Sequence, residues 1–193
     1  MKGQLIIISA PAGTGKTTLV HMLKNAFPKQ VTQSISCTTR NPRRGEIDGR
    51  DYVFLTKEAF EKRIKRGDFL EHARVFGDYY GTLKEMVANQ QARGKDVILV
   101  IDTQGALELK KKVKATFIFI APPSTEILEE RLRNRKTESP DTLKKRLKWA
   151  KHEIKQAKYY DYTIVNDDLE TTYEALKSII IAKKHREGGN HGA

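Results

Sequence analysis

The chain has 193 residues, of which 38% are hydrophobic and 31% are charged, a balance typical of one soluble globular domain with a proper core. Its net charge of +12 is compatible with nucleic-acid binding, with attraction of phosphorylated small molecules or with a solvated surface, but no DNA- or RNA-binding motif accompanies it. No apolar run has the length of a membrane span, and the single cysteine, Cys37, excludes an intrachain disulfide and favours a reducing cytoplasm.

The first predicted strand, Leu5–Ile8, runs into a loop of small residues and then into an amphipathic helix. The loop is Ala10, Pro11, Ala12, Gly13, Thr14, Gly15, Lys16, Thr17 and Thr18. Backbone N–H groups at such a helix start bind anions, the Lys16 ammonium suits terminal phosphates, and the Thr17 hydroxyl suits Mg²⁺. Ala10 replaces the usual first glycine, which is tolerable if this residue keeps a negative φ. The loop predicts a nucleotide site.

Residues 34–81 do not follow the alternation of strands and helices. They are rich in glycine, arginine, tyrosine and acidic residues, with a strand-like piece at Tyr52–Leu55 and a short helical pattern near Lys57–Arg66. We predict a small lobe inserted over the mouth of the core.

Three further strands are predicted, at Val97–Ile101, Thr116–Ile120 and Tyr162–Val165, with helical patterns between and after them. Strands that alternate with helices favour an α/β fold with a doubly wound parallel sheet. Ligands of such sheets bind at the carboxyl ends of the strands, where the Lys16 loop and Asp102 emerge.

Residues 124–146 form a basic segment that we interpret as a mobile lid. Arg131 and Arg135 are four residues apart and share a helix face, so both can reach the phosphates as a lid closes. Ser139 and Pro140 are typical of the N-cap and first position of the next helix. The predicted division of the single domain is a core of residues 1–33, 82–123 and 147–184, a lobe of 34–81, a lid of 124–146 and a disordered tail of 185–193.

Six further motifs follow the loop in a fixed order: Ser36-Cys-Thr-Thr-Arg-Asn-Pro-Arg-Arg-Gly-Glu, Gly49-Arg-Asp-Tyr, Phe69-Leu-Glu-His-Ala, Gly77-Asp-Tyr-Tyr-Gly-Thr, Ile101-Asp-Thr-Gln-Gly and Ile164-Val-Asn-Asp-Asp. Together with the phosphate-binding loop (P-loop), this series resembles guanylate kinase up to about Lys184. The resemblance implies phosphoryl transfer from ATP to GMP or dGMP, with Mg²⁺ as cofactor, in purine nucleotide metabolism.

The resemblance also implies the residues that bind GMP, namely Ser36, Arg40, Arg43, Tyr52, Glu71, Tyr80, Thr82 and Asp102. Arginine forks and tyrosine hydroxyls suit a phosphate dianion that is held without a metal. A carboxylate only accepts hydrogen bonds, so Glu71, with Asp102 as a second acceptor, suits the two donors on the guanine edge. The Ser36 and Thr82 hydroxyls match positions that reach the base.

For ATP, the resemblance implies that the loop residues 10–18 bind the phosphates and that Asn166 contacts the adenine edge. Lys16, Arg131, Arg135 and Arg146 match catalytic positions. Thr17 is the expected Mg²⁺ ligand, with Asp102 holding the ion through water. The chain departs from the family pattern at Val100, where an aspartate is usual, and at Lys136, where glycine is usual.

Two alternatives belong to other classes of function. A catalytically inactive guanylate-kinase-like interaction module is expected to have a damaged phosphate loop, whereas Gly13, Gly15, Lys16 and Thr17 are intact here. Another kinase on the same scaffold, for AMP, dTMP or a ribose phosphate, does not need the guanine-binding set. The expected partners are small nucleotides, with no nucleic acid or membrane, and the sequence leaves both a monomer and an oligomer open.

Overall fold

The computed structural model describes residues 2–134 and 140–188, which fall into two compact units. The first unit contains residues up to 5 and 29–115, and the second contains 6–28 and the described residues from 116 onward. The strands are β1 (Leu5–Ser9), β2 (Val31–Gln33), β3 (Cys37–Thr38), β4 (Val53–Phe54), β5 (Phe69–Val75), β6 (Asp78–Leu83), β7 (Asp96–Val100), β8 (Thr116–Ala121) and β9 (Tyr162–Val165). The helices are α1 (Lys16–Ala26), α2 (Lys57–Arg66), α3 (Lys84–Ala92), α4 (Thr103–Lys110), α5 (Thr125–Asn134), α6 (Pro140–Gln156) and α7 (Leu169–Gly188), with a 3-10 turn at Ala157–Tyr159.

In the second unit, β1, β8 and β9 pair in that order, and both pairings are parallel. Every residue of β1 and β8 is buried, as expected for strands that are apolar on both faces. Strand β9 instead alternates between half-buried and exposed positions. The four strands predicted from apolar runs, including β7 of the first unit, are therefore present to within one residue at each end.

Helices α1, α5 and α6 of the second unit bury apolar side chains on one face. Helix α1 buries Leu19 and Leu23 and packs against α7. Helices α5 and α6 share a cluster of Leu128, Leu132, Leu143 and Ala150. Helix α6 begins at Pro140 as predicted, whereas its expected cap, Ser139, lies outside the described residues.

Helix α7 begins at Leu169 and extends beyond residue 184, where the sequence analysis ended the core. Asp168 caps it, because its Oδ1 accepts a hydrogen bond of 2.8 Å from the backbone N–H of Thr171. The helix includes residues 185–188, which the sequence analysis assigned to a tail, because helix-forming side chains continue up to the glycines at 188 and 189. The rest of the predicted tail, 189–193, is outside the described residues. None of the described helices is long and apolar enough to cross a membrane.

The first unit contains the parallel pair β2–β7 and a separate four-stranded sheet in the order β4-β3-β6-β5. The segment that the sequence marks as an inserted lobe supplies most of this smaller sheet. Its helix α2 has the predicted bounds and is capped by Thr56, whose hydroxyl accepts a 3.2 Å hydrogen bond from Ala59 N–H. Phe60 of α2 stacks on Phe69 of β5, with ring centroids 4.3 Å apart, and this contact fixes β5 under the helix.

Strand pairing in both units thus confirms the α/β class with a mostly parallel central sheet. Three of the parallel strands end where a site residue was expected. The loop of residues 10–18 follows β1, Asp102 follows β7, and Asn166 follows β9.

Candidate nucleotide site

The phosphate loop, residues 10–18, leaves the N-terminus of α1 without a side-chain cap. Gly15 is the N-cap and has φ +82°, a conformation that L side chains rarely adopt. Gly13 also has a positive φ, of 93°, and Ala10 keeps the negative φ that its substitution for glycine requires. The N-cap residue therefore offers the first-turn N–H groups of α1 no side-chain oxygen, and helix starts of this kind bind phosphate oxygens.

Lys16 and Thr17 occupy the first turn of α1. The Lys16 ammonium is half-buried and donates a hydrogen bond of 3.1 Å to the carbonyl of Ala10 across the loop. Thr17 is exposed, so its hydroxyl is accessible to a ligand from solvent. The loop therefore presents a cation and a hydroxyl beside an uncapped helix end, as the sequence predicts.

Asn166 contacts the phosphate loop from the end of β9. Its side-chain amide donates a 2.6 Å hydrogen bond to the carbonyl of Thr14, and Asn166 is only 4% exposed. Thr14 itself is fully buried, and its hydroxyl donates to the carbonyl of Pro11 at 2.8 Å. Asn166 and Thr14, which the sequence analysis expects to bind ATP, are thus joined by a buried hydrogen bond. Their spacing in the sequence does not indicate this contact.

Of the three arginines predicted to contact the transferred group, Arg131 and Arg146 lie in described parts of α5 and α6. One guanidinium nitrogen of Arg131 donates to the backbone carbonyl of Asn166 at 3.2 Å, which directs this side chain toward the end of β9. Arg146 is half-buried on α6. Arg135 is outside the described residues.

In the first unit, Arg40 is held by the carboxylate of Glu46. The Arg40–Glu46 ion pair measures 2.9 Å, and the second carboxylate oxygen accepts the backbone N–H of Arg43 at 2.7 Å. Hydrogen bonding from Arg40 holds the pKa of Glu46 below its usual value. Glu46 therefore organises the segment that carries both predicted phosphate-binding arginines. The sequence analysis gave it no role, although Glu46 ends the quoted Arg-Arg-Gly-Glu motif.

Aromatic rings complete this arginine–tyrosine cluster, defined here as Arg40, Glu46, Tyr52 and Tyr80. The Arg40 guanidinium carbon lies 5.3 Å from the centroid of the Tyr52 ring, within cation–π range. Tyr52 and Tyr80 meet edge to face, with centroids 6.2 Å apart, and burial raises the pKa of the Tyr52 hydroxyl. The Tyr52 phenol consequently stays protonated at neutral pH and is able to donate to an anion.

Glu71 is a buried carboxylate, 5% exposed, on β5. The hydroxyl of Thr82 on the neighbouring strand β6 donates to its Oε1 at 2.7 Å. Burial is the largest cause that raises the Glu71 pKa to about 7; the Thr82 hydrogen bond opposes this shift, and the negative charge of Asp102 adds to it. A carboxylate under this desolvation gains from any ligand that donates hydrogen bonds to it.

Two residues at the start of α4, Asp102 and Gly105, define the surroundings of the Glu71 carboxylate. Asp102 is the N-cap of α4, and its Oδ1 accepts the N–H groups of Gln104 at 2.7 Å and Gly105 at 3.1 Å. Gly105 lies directly against the Glu71 carboxylate, so closely that a Cβ at this position would collide with Oε2. A glycine is therefore needed in α4 for the carboxylate to occupy its position, a requirement that the sequence alone does not reveal.

The donors predicted for Mg²⁺ are all hard oxygens, as that ion prefers. The Thr17 hydroxyl is exposed, whereas Oδ1 of Asp102 is already used by the α4 cap. Among the described residues, no group of three or more histidine, cysteine, aspartate or glutamate side chains is arranged to hold a metal. Hydroxyl and carboxylate oxygens are of the type that Mg²⁺ accepts as ligands.

The structure brings the predicted residues into two groups, one in each unit. In the first unit, the Arg40 guanidinium and the Tyr80 ring both contact the Tyr52 ring, and the Thr82 hydroxyl donates to Glu71. Ser36 and Arg43 are held by backbone contacts: the Ser36 carbonyl accepts from Val53 N–H at 2.9 Å. In the second unit, the loop, Asn166 and Arg131 form one hydrogen-bonded chain.

Comparison with known proteins identifies the family of the chain. A family model described as guanylate kinase matches residues 2–183. A guanylate kinase of Protochlamydia amoebophila is 56% identical over 96% of this chain and 93% of its own length. One from Clostridium perfringens is 48% identical over 96% of this chain and 86% of its own length. A crystal structure of guanylate kinase from Anaplasma phagocytophilum superposes with a TM-score of 0.75 at 35% identity, covering 94% of this chain and 86% of the other.

Proposed function

Because this chain belongs to the guanylate kinase family, we propose that it transfers the γ-phosphoryl group of ATP to GMP, and to dGMP, giving ADP and the corresponding diphosphate. The observation that carries this assignment is the Glu71 carboxylate, which is buried, hydrogen-bonded by Thr82 and raised in pKa to about 7. Such a group is poorly solvated without a ligand and gains most from a base edge with two adjacent donors.

Guanine has those donors at N1 and at the exocyclic amine, whereas the corresponding edge of adenine has an acceptor at N1. A base that presents an acceptor gives the buried carboxylate no donor in return for its lost water, and sites of this kind reject such a base by about 10⁴-fold. Ser36 and Asp102 supply the further base contacts in this proposal. Arg40, Arg43, Tyr52 and Tyr80 bind the phosphate, and the ion pair with Glu46 supports Arg40 in the correct orientation.

In the proposed reaction, an oxygen of the GMP phosphate attacks the γ-phosphorus of ATP, and the bond to the bridging oxygen of ADP breaks. No covalent enzyme intermediate is required, so the protein supplies position and positive charge. The phosphate loop, residues 10–18, binds the ATP phosphates through the first-turn N–H groups of α1. Lys16, Arg131, Arg135 and Arg146 neutralise the charge that spreads over the transferred group.

When bound, Mg²⁺ neutralises phosphate charge and orients the two terminal phosphates of ATP. Thr17 would hold it directly and Asp102 through water. We further propose that Asn166 lies beside the adenine of ATP, that residues 124–146 act as a lid over it, and that residues 34–81 bind GMP. The buried, unpaired cysteine Cys37 is in keeping with a reducing cytoplasm, where this step serves purine nucleotide metabolism.

A coupled assay of ADP formation tests the proposal with GMP, dGMP, IMP, AMP and dTMP as acceptors. GMP and dGMP should be phosphorylated, and IMP, which lacks the exocyclic amine, should show a lower kcat/KM. AMP and dTMP should be inactive. Turnover of AMP in preference to GMP would refute the base assignment, and no turnover with any acceptor would favour an interaction module.

A further inference from the structure

We infer that Asn166 and Thr14 are positioning residues that hold the phosphate loop in its binding conformation before a nucleotide arrives. The inference deepens the proposed function and rests on it in one respect, namely that the loop binds a triphosphate. This positioning role differs from a direct contact between Asn166 and the adenine edge, because its effect on the ligand is transmitted through the loop backbone.

Thr14 is held on three sides by hydrogen bonds. Its hydroxyl and its backbone N–H both donate to the carbonyl of Pro11, at 2.8 Å and 3.4 Å. Its carbonyl accepts the Asn166 amide at 2.6 Å. Thr14 immediately precedes Gly15, the N-cap of α1. These bonds therefore fix the peptide group before the helix, and with it the orientation of the N–H groups at the helix start.

Asn166 is itself immobilised by the parallel sheet of its unit. Its backbone N–H donates to the carbonyl of Ala121 at the end of β8, at 2.8 Å, and its carbonyl accepts from Arg131. The fit against the loop is tight, because a Cβ on Gly15 would lie 2.7 Å from the Asn166 amide nitrogen. The loop is thus tied to the rigid ends of β8 and β9, and α5 is tied to the same residue.

A loop fixed in this way needs no reorganisation when phosphates bind, and affinity is gained by avoiding the ordering cost. Loss of the Asn166 amide should therefore weaken every ligand that uses the loop, whether or not the ligand carries a base. Loss of an adenine contact should weaken ATP alone. The two roles are separable with a base-free ligand.

The test uses Asn166→Ala in the full chain, with calorimetric titration of ATP and of inorganic tripolyphosphate. Removal of one buried hydrogen bond should weaken both ligands by roughly tenfold, and any additional loss for ATP would measure the proposed contact with adenine. The KM for ATP should rise by the same factor, while the KM for GMP stays constant. Asn25→Ala is the matched control, because Asn25 lies in α1 of the same unit and its amide makes an exposed 3.2 Å contact with His21. It should behave as the unmodified chain.

Weaker ATP binding with unchanged tripolyphosphate binding would overturn the inference in favour of an adenine contact. Unchanged binding of both ligands would overturn it outright. If the unmodified chain failed to phosphorylate GMP while Asn166→Ala still weakened tripolyphosphate binding as expected, the proposed function would be refuted and the inference would stand.

Thr14→Val gives an independent test if Asn166→Ala fails to fold. Valine is close to threonine in shape and removes only the hydroxyl bond to Pro11, so both ligands should again weaken equally. Thr14→Ser keeps the donor and should restore tripolyphosphate binding. Equal weakening in Thr14→Ser and Thr14→Val would show that the methyl packing matters rather than the hydrogen bond, which contradicts the inference.

Discussion

Replacing Glu71 by glutamine should make the nucleotide-free protein more stable at alkaline pH. The carboxylate is 5% exposed, and burial displaces its pKa from 4.5 to about 7. Because the folded-state pKa is raised, the folded protein favours the neutral acid. Its stabilising contribution is complete below pH 4.5 and is lost as the pH rises through 7.

That displacement corresponds to about 3 kcal/mol of unfolding free energy between pH 4.5 and pH 8.5. Glutamine has nearly the same shape, does not ionise, and still offers Oε1 to the Thr82 hydroxyl. The stability of Glu71→Gln relative to the unmodified chain should therefore increase by about 3 kcal/mol across this range. For a chain of this length, the difference in Tm should grow by about 10 °C.

Thermal and urea denaturation followed by circular dichroism at pH 4.5, 5.5, 7 and 8.5 measures this difference. Glu85→Gln is the control, because Glu85 is exposed on α3 and its substitution makes the same chemical change without altering the buried carboxylate. A stability difference between Glu71→Gln and the unmodified chain that stays constant from pH 4.5 to 8.5 would refute the desolvation argument. The same substitution places an amide donor opposite guanine, so the KM for GMP should rise while the KM for ATP changes little.

Three further substitutions test the site. Lys16→Ala should lower kcat by at least 10³-fold with little loss of Tm, because the half-buried ammonium serves the phosphates; near-normal turnover in the coupled assay would exclude that role. Glu46→Gln should raise the KM for GMP about fivefold and leave that for ATP unchanged, because Arg40 loses its ion pair; a lower KM for GMP would mean that the carboxylate competes with substrate. Gly105→Ala should raise the KM for GMP tenfold or more by displacing Glu71. Gln104→Ala, at an exposed position, is the control. An equal rise in the KM values for ATP and GMP would point to general damage to α4.

Much of the fold was predictable because its determinants are local. Apolar runs identify β1, β7, β8 and β9, and period and capping identify α2 and the start of α6. Helix α4 was not identified, since its start depends on the Asp102 cap immediately after a strand, where no long apolar period announces a helix.

The site was predictable as a set of residue types and less so as a set of contacts. Motif order names Arg40, Glu71 and Asn166, but nothing in their spacing indicates that Glu46 binds Arg40 or that Asn166 binds the Thr14 carbonyl. These contacts join residues whose distance in the chain carries no periodicity. Gly105 shows the same limit, because only the three-dimensional approach of β5 to α4 explains why it lacks a side chain.

The Arg40 guanidinium is engaged before any substrate arrives, by the Glu46 carboxylate, by the Asn41 carbonyl at 2.6 Å and by the face of Tyr52. An arginine that is already confined to one rotamer gives up little motional freedom on capturing a phosphate. Lysine has neither the planar fork nor the flat face of a guanidinium. Lysine at position 40 would therefore keep the positive charge but lose the fixed orientation in which that charge is held.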